Sequence, residues 1–476
     1  MSGLRTAVFV LCVCLANLGY SQVVTGTPPF GSFGGGPFDT VNLATLNTHF
    51  SIPIYTKPGR GMPFVFYVNY DSSVWYPVTS GATTSWQYVS NWGWQAQGNT
   101  VVGYVTATGQ PGYCYDTSTN PPTKIATTVY HYKSYNDGRG TSHSFANNAV
   151  LTDLDPCNRQ PAVPPSFTSN DGSGYTITMQ AGDPLITVTP RGGGLMVVPA
   201  FYGSGQVRNS TNSTDSNGNY ISYNGTTFTD TLGKQVLTIS GANPVLYTYT
   251  NPAGTTSHVS VSYTTYQIKT AFACSTVQDV TVPNVPLITQ IALPDNSSYS
   301  FTYEQTPNNA GYYTGRILSV TLPTGGTIQY QYTGSNGGIE CADGSAAGLT
   351  RTLVPAGSQS GDQWTYARTI TTPPASNTVV TDPHGNQTSY DFQDIYETRR
   401  QIYNSAAVLQ KKLVTCYDFT ILPANCPTTA VTPPITYRIV YNYFPDENGL
   451  MAKTTESFDV SLGCYSATGS RVGTTT

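Results

Sequence analysis

The chain has 476 residues, a net charge of −4 and only 10% charged side chains, against about 25% in ordinary soluble domains. Such low charge combined with 35 Tyr excludes a disordered chain, and 46 Gly with 33 Pro exclude long helices in favour of frequent turns. There is no basic block, zinc-finger spacing or RNP-like run, so nucleic acid is not an expected partner.

At ~100–200 residues per domain, the length allows two to four domains. The start, "MSGLRTAVFVLCVCLANLGYSQ", carries Arg5, an apolar run and then small residues. It reads as a signal peptide over residues 1–21, with Gly19 and Ser21 before a cut between Ser21 and Gln22. A buried helix or an uncleaved anchor is the alternative, but the run is shorter than a membrane span needs. The mature chain is therefore expected to be secreted or held at the cell surface, with no transmembrane span. The remaining cysteines, Cys114, Cys157, Cys274, Cys341, Cys416, Cys426 and Cys464, contain no CxxC. Export favours disulfides over metal binding. Cys416 with Cys426 and Cys114 with Cys157 are the pairs that spacing suggests, and an odd count leaves one thiol over.

Residues 22–165 begin with a Gly/Pro-rich lead-in, "GTPPFGSFGGGPFDTVNLATLNTHFSIPI", and continue as a β-rich region. "FVFYVNYDSSVWYPV" alternates as a half-buried strand does. Trp92 and Trp94 lie two apart, which places them on one face of a strand. They could stack on a glycan, or simply fill a core. Residues 160–167, "QPAVPPSF", suggest a linker. Residues 166–286 hold strand pairs around Gly, Asn or Asp turns.

Residues 287–476 contain a repeat. "LPDNSSYSFTY" aligns with "LPTGGTIQYQY", so Pro294 falls on Pro323, and Phe301 and Tyr303 fall on Tyr330 and Tyr332, 29 residues apart. "DPHGNQTSYDF" repeats the pattern through Pro383, Gly385, Tyr390 and Phe392, with Pro383 lying 60 residues beyond Pro323. Fixed spacing in this range marks stacked supersecondary units. In the unit "GRILSVTLPTGGTIQYQY", Leu318, Val320 and Leu322 should share one face, with Ser319 and Thr321 on the other. Pro323 and Gly325 set the turn, and Ile328, Tyr330 and Tyr332 return on one face. A hairpin with one apolar face needs a neighbour to cover it or extend it. Residues 394–414, "DIYETRRQIYNSAAVLQKKLV", have helical apolar spacing, but the surrounding pattern favours a hairpin turning at "NSAA".

The sequence "GRILSVTLPTGGTIQYQY" resembles the YD repeat of bacterial RHS proteins and animal teneurins: Gly315 and Arg316, a short strand, a Pro-x-Gly turn and a Tyr-x-Tyr. "DTLGKQVLTI" resembles the family's Asp-x-x-Gly-Arg half, with Lys234 in place of Arg. The lead-in resembles that of large exported RHS-repeat proteins. The clear repeat match covers residues 287–403. The RHS-associated core motif, its self-cleavage site and a C-terminal toxin domain are not seen, so the resemblance is to the N-terminal part of a longer protein. It implies an all-β fold, a β-rich N-terminal region followed by stacked hairpins in a continuous curved sheet. It also implies a shell that can enclose a polypeptide, with downstream repeats of the same protein or an enclosed chain as partner, and it carries over no catalytic residue.

No GxSxG, HExxH, P-loop or GxGxxG occurs, and no cofactor or metal is expected. The histidines His49, His131, His143, His258 and His384 are scattered, and each reads as a surface or turn residue. "DSNGN" at residues 215–219 has calcium-loop spacing, but Tyr220 stands where Gly is needed, so a hairpin turn fits better. The expected function is an exported, non-enzymatic scaffold, shell segment or cell-surface module. The alternative is a carbohydrate-binding adhesin that uses Trp92 and Trp94.

Overall fold

The computed structural model describes residues 24–59, 62–89, 91–95, 103–145, 150–152, 166–179, 186–203, 206–208, 211–418, 423–444, 451–458, 462–465 and 471–475. The signal-peptide reading, most of the 160–167 linker and Cys157 lie outside these residues. Within them the chain is almost wholly β. The helical exceptions are the four residues Ser335–Gly338 and the six-residue 3-10 segment Pro423–Thr428, and no helix among the described residues is long and apolar enough to cross a membrane.

Three sheets carry the architecture. The first is five-stranded, in the order Phe33–Gly35, Thr40–Asn42, Thr48–Lys57, Phe64–Asp71 and Trp94–Gln95. The hairpin Trp75–Ser80 with Thr83–Tyr88 stands beside it. The second sheet is six-stranded and built on the long pair Tyr104–Asp116 and Thr123–Asn136, with Ala200–Gly203 added in parallel. The third has 22 strands and runs from Ser166–Thr168 to Met451–Ser457. It is an antiparallel meander, each strand pairing with the next along the chain apart from the excursion of residues 200–208 into the second sheet. The boundary read at residue 286 falls inside the strand Thr281–Ala292, so the large sheet runs on through it.

The unit of this sheet is a five-residue turn. At 215–219, 230–234, 251–255, 293–297, 322–326, 382–386 and 404–408, the first residue's N–H donates to the fifth's carbonyl. In each, the fourth N–H also bonds to the first carbonyl. The fourth residue has positive φ, as at Gly325 (85°), Gly385 (81°) and Asn296 (69°). Where the first residue is Asp or Asn, its side-chain oxygen accepts the N–H groups of the third and fifth residues, as at Asp230, Asp382 and Asn404. This is an Asx turn built into a hairpin. "DSNGN" is one of these: Asp215 Oδ1 accepts from Asn217 N and Asn219 N, and Oδ2 from Asn219 Nδ2.

A meander reverses direction at every strand, so alternate connections share an edge. All seven turns named above fall on one edge, because an even number of strands separates each from the next. The repeat is therefore periodic in strands. Leu293 to Leu322 is one hairpin of 29 residues, and Pro323 to Pro383 is two hairpins in 60. The opposite edge carries the longer loops, and there a disulfide joins Cys274 to Cys341. The strand Leu409–Tyr417 is tied to the Pro423–Thr428 turn by Cys416–Cys426. Cys114 is also disulfide-bonded. Residues 394–414 form the expected hairpin, Tyr396–Tyr403 and Leu409–Tyr417 around 404–408.

One face of the large sheet is the core. A single apolar cluster joins Val41, Phe50, Phe66 and Trp94 from the N-terminal region to Phe228, Tyr247, Phe301, Tyr330 and Phe392 from the large sheet. Contacts of residues 30–94 reach from Phe228 to Glu397. At ~4.8 Å between strands, those strands would spread on the order of 60 Å if the sheet were flat, three times the width of a five-stranded sheet. One small sheet can touch both ends only if the large sheet curves around it.

The face assignment within "GRILSVTLPTGGTIQYQY" needs one correction. Val320, Leu322, Ile328 and Tyr330 are buried, but Leu318 is 41% exposed. Thr302 pairs with Ser319 and Tyr303 with Ile317, so Leu318 is the extra residue of a β-bulge. A bulge breaks the period of two, turning Leu318 out and Ile317 and Arg316 in.

Candidate functional site

The inner face of the large sheet is where the repeat residues converge. Tyr303 donates its hydroxyl to the Ile288 carbonyl at 2.5 Å and accepts from Trp94 Nε1 at 2.8 Å. Phe301 meets the Trp94 ring edge-on at 4.9 Å, and Phe50 meets Tyr330 likewise at 5.9 Å. Phe392 is fully buried, and half-buried Tyr390 lies beside the Arg400 guanidinium at 5.0 Å. Phe301, Tyr303 and Tyr330 thus take partners from the N-terminal residues, whereas Tyr390 is held within the sheet by Arg400 and Phe392.

Gly315 and Arg316 have separate tasks. Gly315 sits at φ 86°, in the left-handed region that a side chain disfavours. Tyr70 clasps this point, donating its hydroxyl to the Gly315 carbonyl and accepting from Ile317 N–H at 2.9 Å. Trp75 Nε1 bonds the neighbouring Thr314 carbonyl at 2.6 Å. Arg316 is 3% exposed. It binds Glu304 through Nε at 2.7 Å and Nη2 at 3.0 Å, reaches the Gly337 and Gly338 carbonyls, and lies 4.0 Å over the Tyr332 ring. It thus fastens the bulged strand to the loop that holds Cys341.

At the centre is a buried ion pair that sequence reading did not single out. Asp39 Oδ2 accepts from Arg351 Nε and from the Tyr330 hydroxyl, each at 2.7 Å, and Oδ1 accepts from Arg351 Nη2 at 2.6 Å. Arg351 is 1% exposed and Asp39 3%. The guanidinium also lies 5.1 Å over Trp364. Burial works against the Arg351 charge, but the Asp39 hydrogen bonds outweigh it and the net shift of the Arg351 pKa is upward. A Cβ at Gly36 would stand 2.6 Å from Arg351 Nη2, so the Gly run of the lead-in is what lets the backbone approach this group.

More such links line the enclosed segment. Thr378 donates to the Leu43 carbonyl at 2.7 Å, Arg368 Nε to the Ala44 carbonyl at 2.6 Å, and Ser32 to the Glu397 carboxylate. At the other end, Lys57 Nζ lies 3.4 Å from Asp230 Oδ2.

The tryptophans are placed differently from the strand platform. Trp92 lies in a turn at φ 54°, and only Trp94 is in a strand. They are 8% and 4% exposed, with Trp92 stacked on Tyr88 and packed on Trp75. A sugar needs an open ring face, and neither Trp offers one.

Two histidines also differ from the surface reading. His49 is 5% exposed, and its Nδ1 lies 3.1 Å from Asp71 Oδ1, which also accepts from Gly26 N–H and Asn47 Nδ2. His143 is 4% exposed and bridges two carboxylates, Asp171 at 2.7 Å and Asp137 at 3.4 Å. Burial alone would lower the His143 pKa, but the hydrogen bonds to Asp137 and Asp171 outweigh it and raise it to about 9. Both histidines join the lead-in and the second sheet to their neighbours. No acceptor pattern in the local sequence marks either one. Among the described residues no group of three His, Cys, Asp or Glu side chains could hold a metal ion.

No protein-family model matches the chain, and no curated protein does. Among solved structures, one described as the crystal structure of TcdB2-TccC3-TEV is similar at 10% identity and a TM-score of 0.23 over 89% of this chain. The chain spans 22% of that chain's length. The all-β architecture rests on the sheets themselves.

Proposed function

We propose that this chain is an exported, non-enzymatic β-repeat protein of RHS/YD type, a shell segment whose curved sheet holds a polypeptide on its inner face. The observation that carries the reading is the occupant of that face, the chain's own residues 24–95. Tyr303, Tyr330 and the Arg351–Asp39 pair hold this segment. The shell is thus read as filled by its N-terminal region along these strands, and any further enclosed chain or downstream repeat would add beyond them.

The test is to place a protease site within residues 96–102 and cut the folded protein. The reading expects the fragment that ends near Gln95 to stay bound and co-elute with the rest until denaturant is added. Its release under native conditions would overturn the reading.

A further inference from the structure

A cavity of about 600 Å³ opens where the first, second and third sheets meet. It falls in the ~300–1,000 Å³ range of small-molecule sites. Three tyrosines from different elements line it: Tyr67 from the strand Phe64–Asp71, Tyr135 from Thr123–Asn136, and Tyr175 just before Thr176–Met179. Asp137 and Arg139 come from a turn of the same form at 137–141 in the second sheet, Asp215 comes from the turn at 215–219, and the three supply polar groups.

The rings are fixed. Tyr135 and Tyr175 stand 5.0 Å apart at 58°, and His143 packs behind them, 4.5 Å from Tyr175 and 6.1 Å from Tyr135. The Asp137 and Asp171 carboxylates hold His143 in place. Arg139 is exposed, with its guanidinium 5.8 Å from the Tyr67 ring centre.

We infer that this cavity binds a neutral saccharide of two or more units. A sugar ring has an apolar C–H face, suited to the half-buried Tyr67 and Tyr175 rings, with Tyr135, 3% exposed, packed behind Tyr175 as support, and it has a rim of hydroxyls that both donate and accept. The cavity offers acceptors in Asp137 and Asp215 and a donor in Arg139. A cationic ligand fits less well. Three of the roughly four acceptor sites on each carboxylate are filled, which leaves room for a hydroxyl but not for the several contacts an ammonium group needs, and Arg139 in the same lining repels a cation. Asp137 Oδ1 takes Arg139 N–H and Thr141 N–H, and Asp215 takes three donors from Asn217 and Asn219. An anionic sugar would meet two carboxylates against one guanidinium. Tyr135 and Tyr175 are held against His143 before any ligand arrives, which reduces the ordering that binding requires.

The inference goes beyond the shell reading and does not depend on it. The experiment is saturation-transfer NMR on the whole chain with cellobiose, maltose and N,N′-diacetylchitobiose. At least one should bind saturably with a dissociation constant on the order of 1 mM. Tyr67→Ala and Arg139→Ala, with half-buried and exposed side chains, should each weaken it tenfold or more with the circular dichroism spectrum unchanged. No saturable binding by any of the three sugars overturns the inference. So does binding that survives Tyr67→Ala and Arg139→Ala at full strength.

Discussion

Asp39→Ala removes the carboxylate that pairs with Arg351 and accepts the Tyr330 hydroxyl. The guanidinium it leaves behind is 1% exposed, so water cannot replace the lost partner. Breaking a buried pair in this way costs about 3–5 kcal/mol. The orphaned Tyr330 hydroxyl pushes the loss toward the upper end. Against a total stability of about 5–15 kcal/mol, that is a large fraction. Urea unfolding followed by fluorescence and circular dichroism measures it. Asp39→Leu combined with Arg351→Met removes both charges and should recover most of the loss, because apolar replacement of a buried pair is often close to neutral. A loss under about 1 kcal/mol for Asp39→Ala would refute the reasoning. So would a double variant whose loss equals the sum of the two single ones, since residues in contact must couple.

Other expectations follow from the same packing. The folded pKa of His143, about 9, lies above its ordinary 6.5. Its stabilisation is therefore complete below pH 6.5 and is lost as pH rises through 9, amounting to about 3 kcal/mol over that window. Urea midpoints from pH 6 to 10 should show this fall, and Asp171→Asn should flatten it. Phe392→Ala should cost about 3–5 kcal/mol, whereas Leu318→Ala, on the exposed bulge, should stay within about 0.5 kcal/mol; equal losses in urea titrations would mean the bulge is misplaced. Replacing Cys274 and Cys341 by Ser opens a sequence separation of 67 residues, worth about 4 kcal/mol by loop entropy. Opening Cys416–Cys426, with a separation of 10, is worth about 3 kcal/mol. Thermal unfolding of the two double variants should rank them in that order.

The hairpin array was legible because its determinants are local. Pro323 acts with Gly325, and Pro383 with Gly385, each pair inside one five-residue turn, and "NSAA" resolved a helix-like stretch into two strands for the same reason. The bulge at Leu318 was not legible, since it depends on how Tyr303 pairs across the sheet. Trp92 and Trp94 followed the period-two rule only on paper, because a turn at Trp92 breaks the strand. The Asp39–Arg351 pair spans 312 residues of sequence, and His143 meets Asp171 from another element. Such partners become visible only when the sheet curves and brings its inner face onto the lead-in.

The central claim is that residues 24–95 lie inside the curve of the large sheet. Lys57 and Asp230 stand 3.4 Å apart across that boundary, and both side chains are partly exposed, at 39% and 27%. A zero-length carbodiimide cross-linker joins an amine to a carboxylate only in direct contact, and mass spectrometry identifies the joined peptides. The account predicts a Lys57–Asp230 link in the native chain that disappears in urea. A native chain in which Lys57 joins no carboxylate of the large sheet would contradict it.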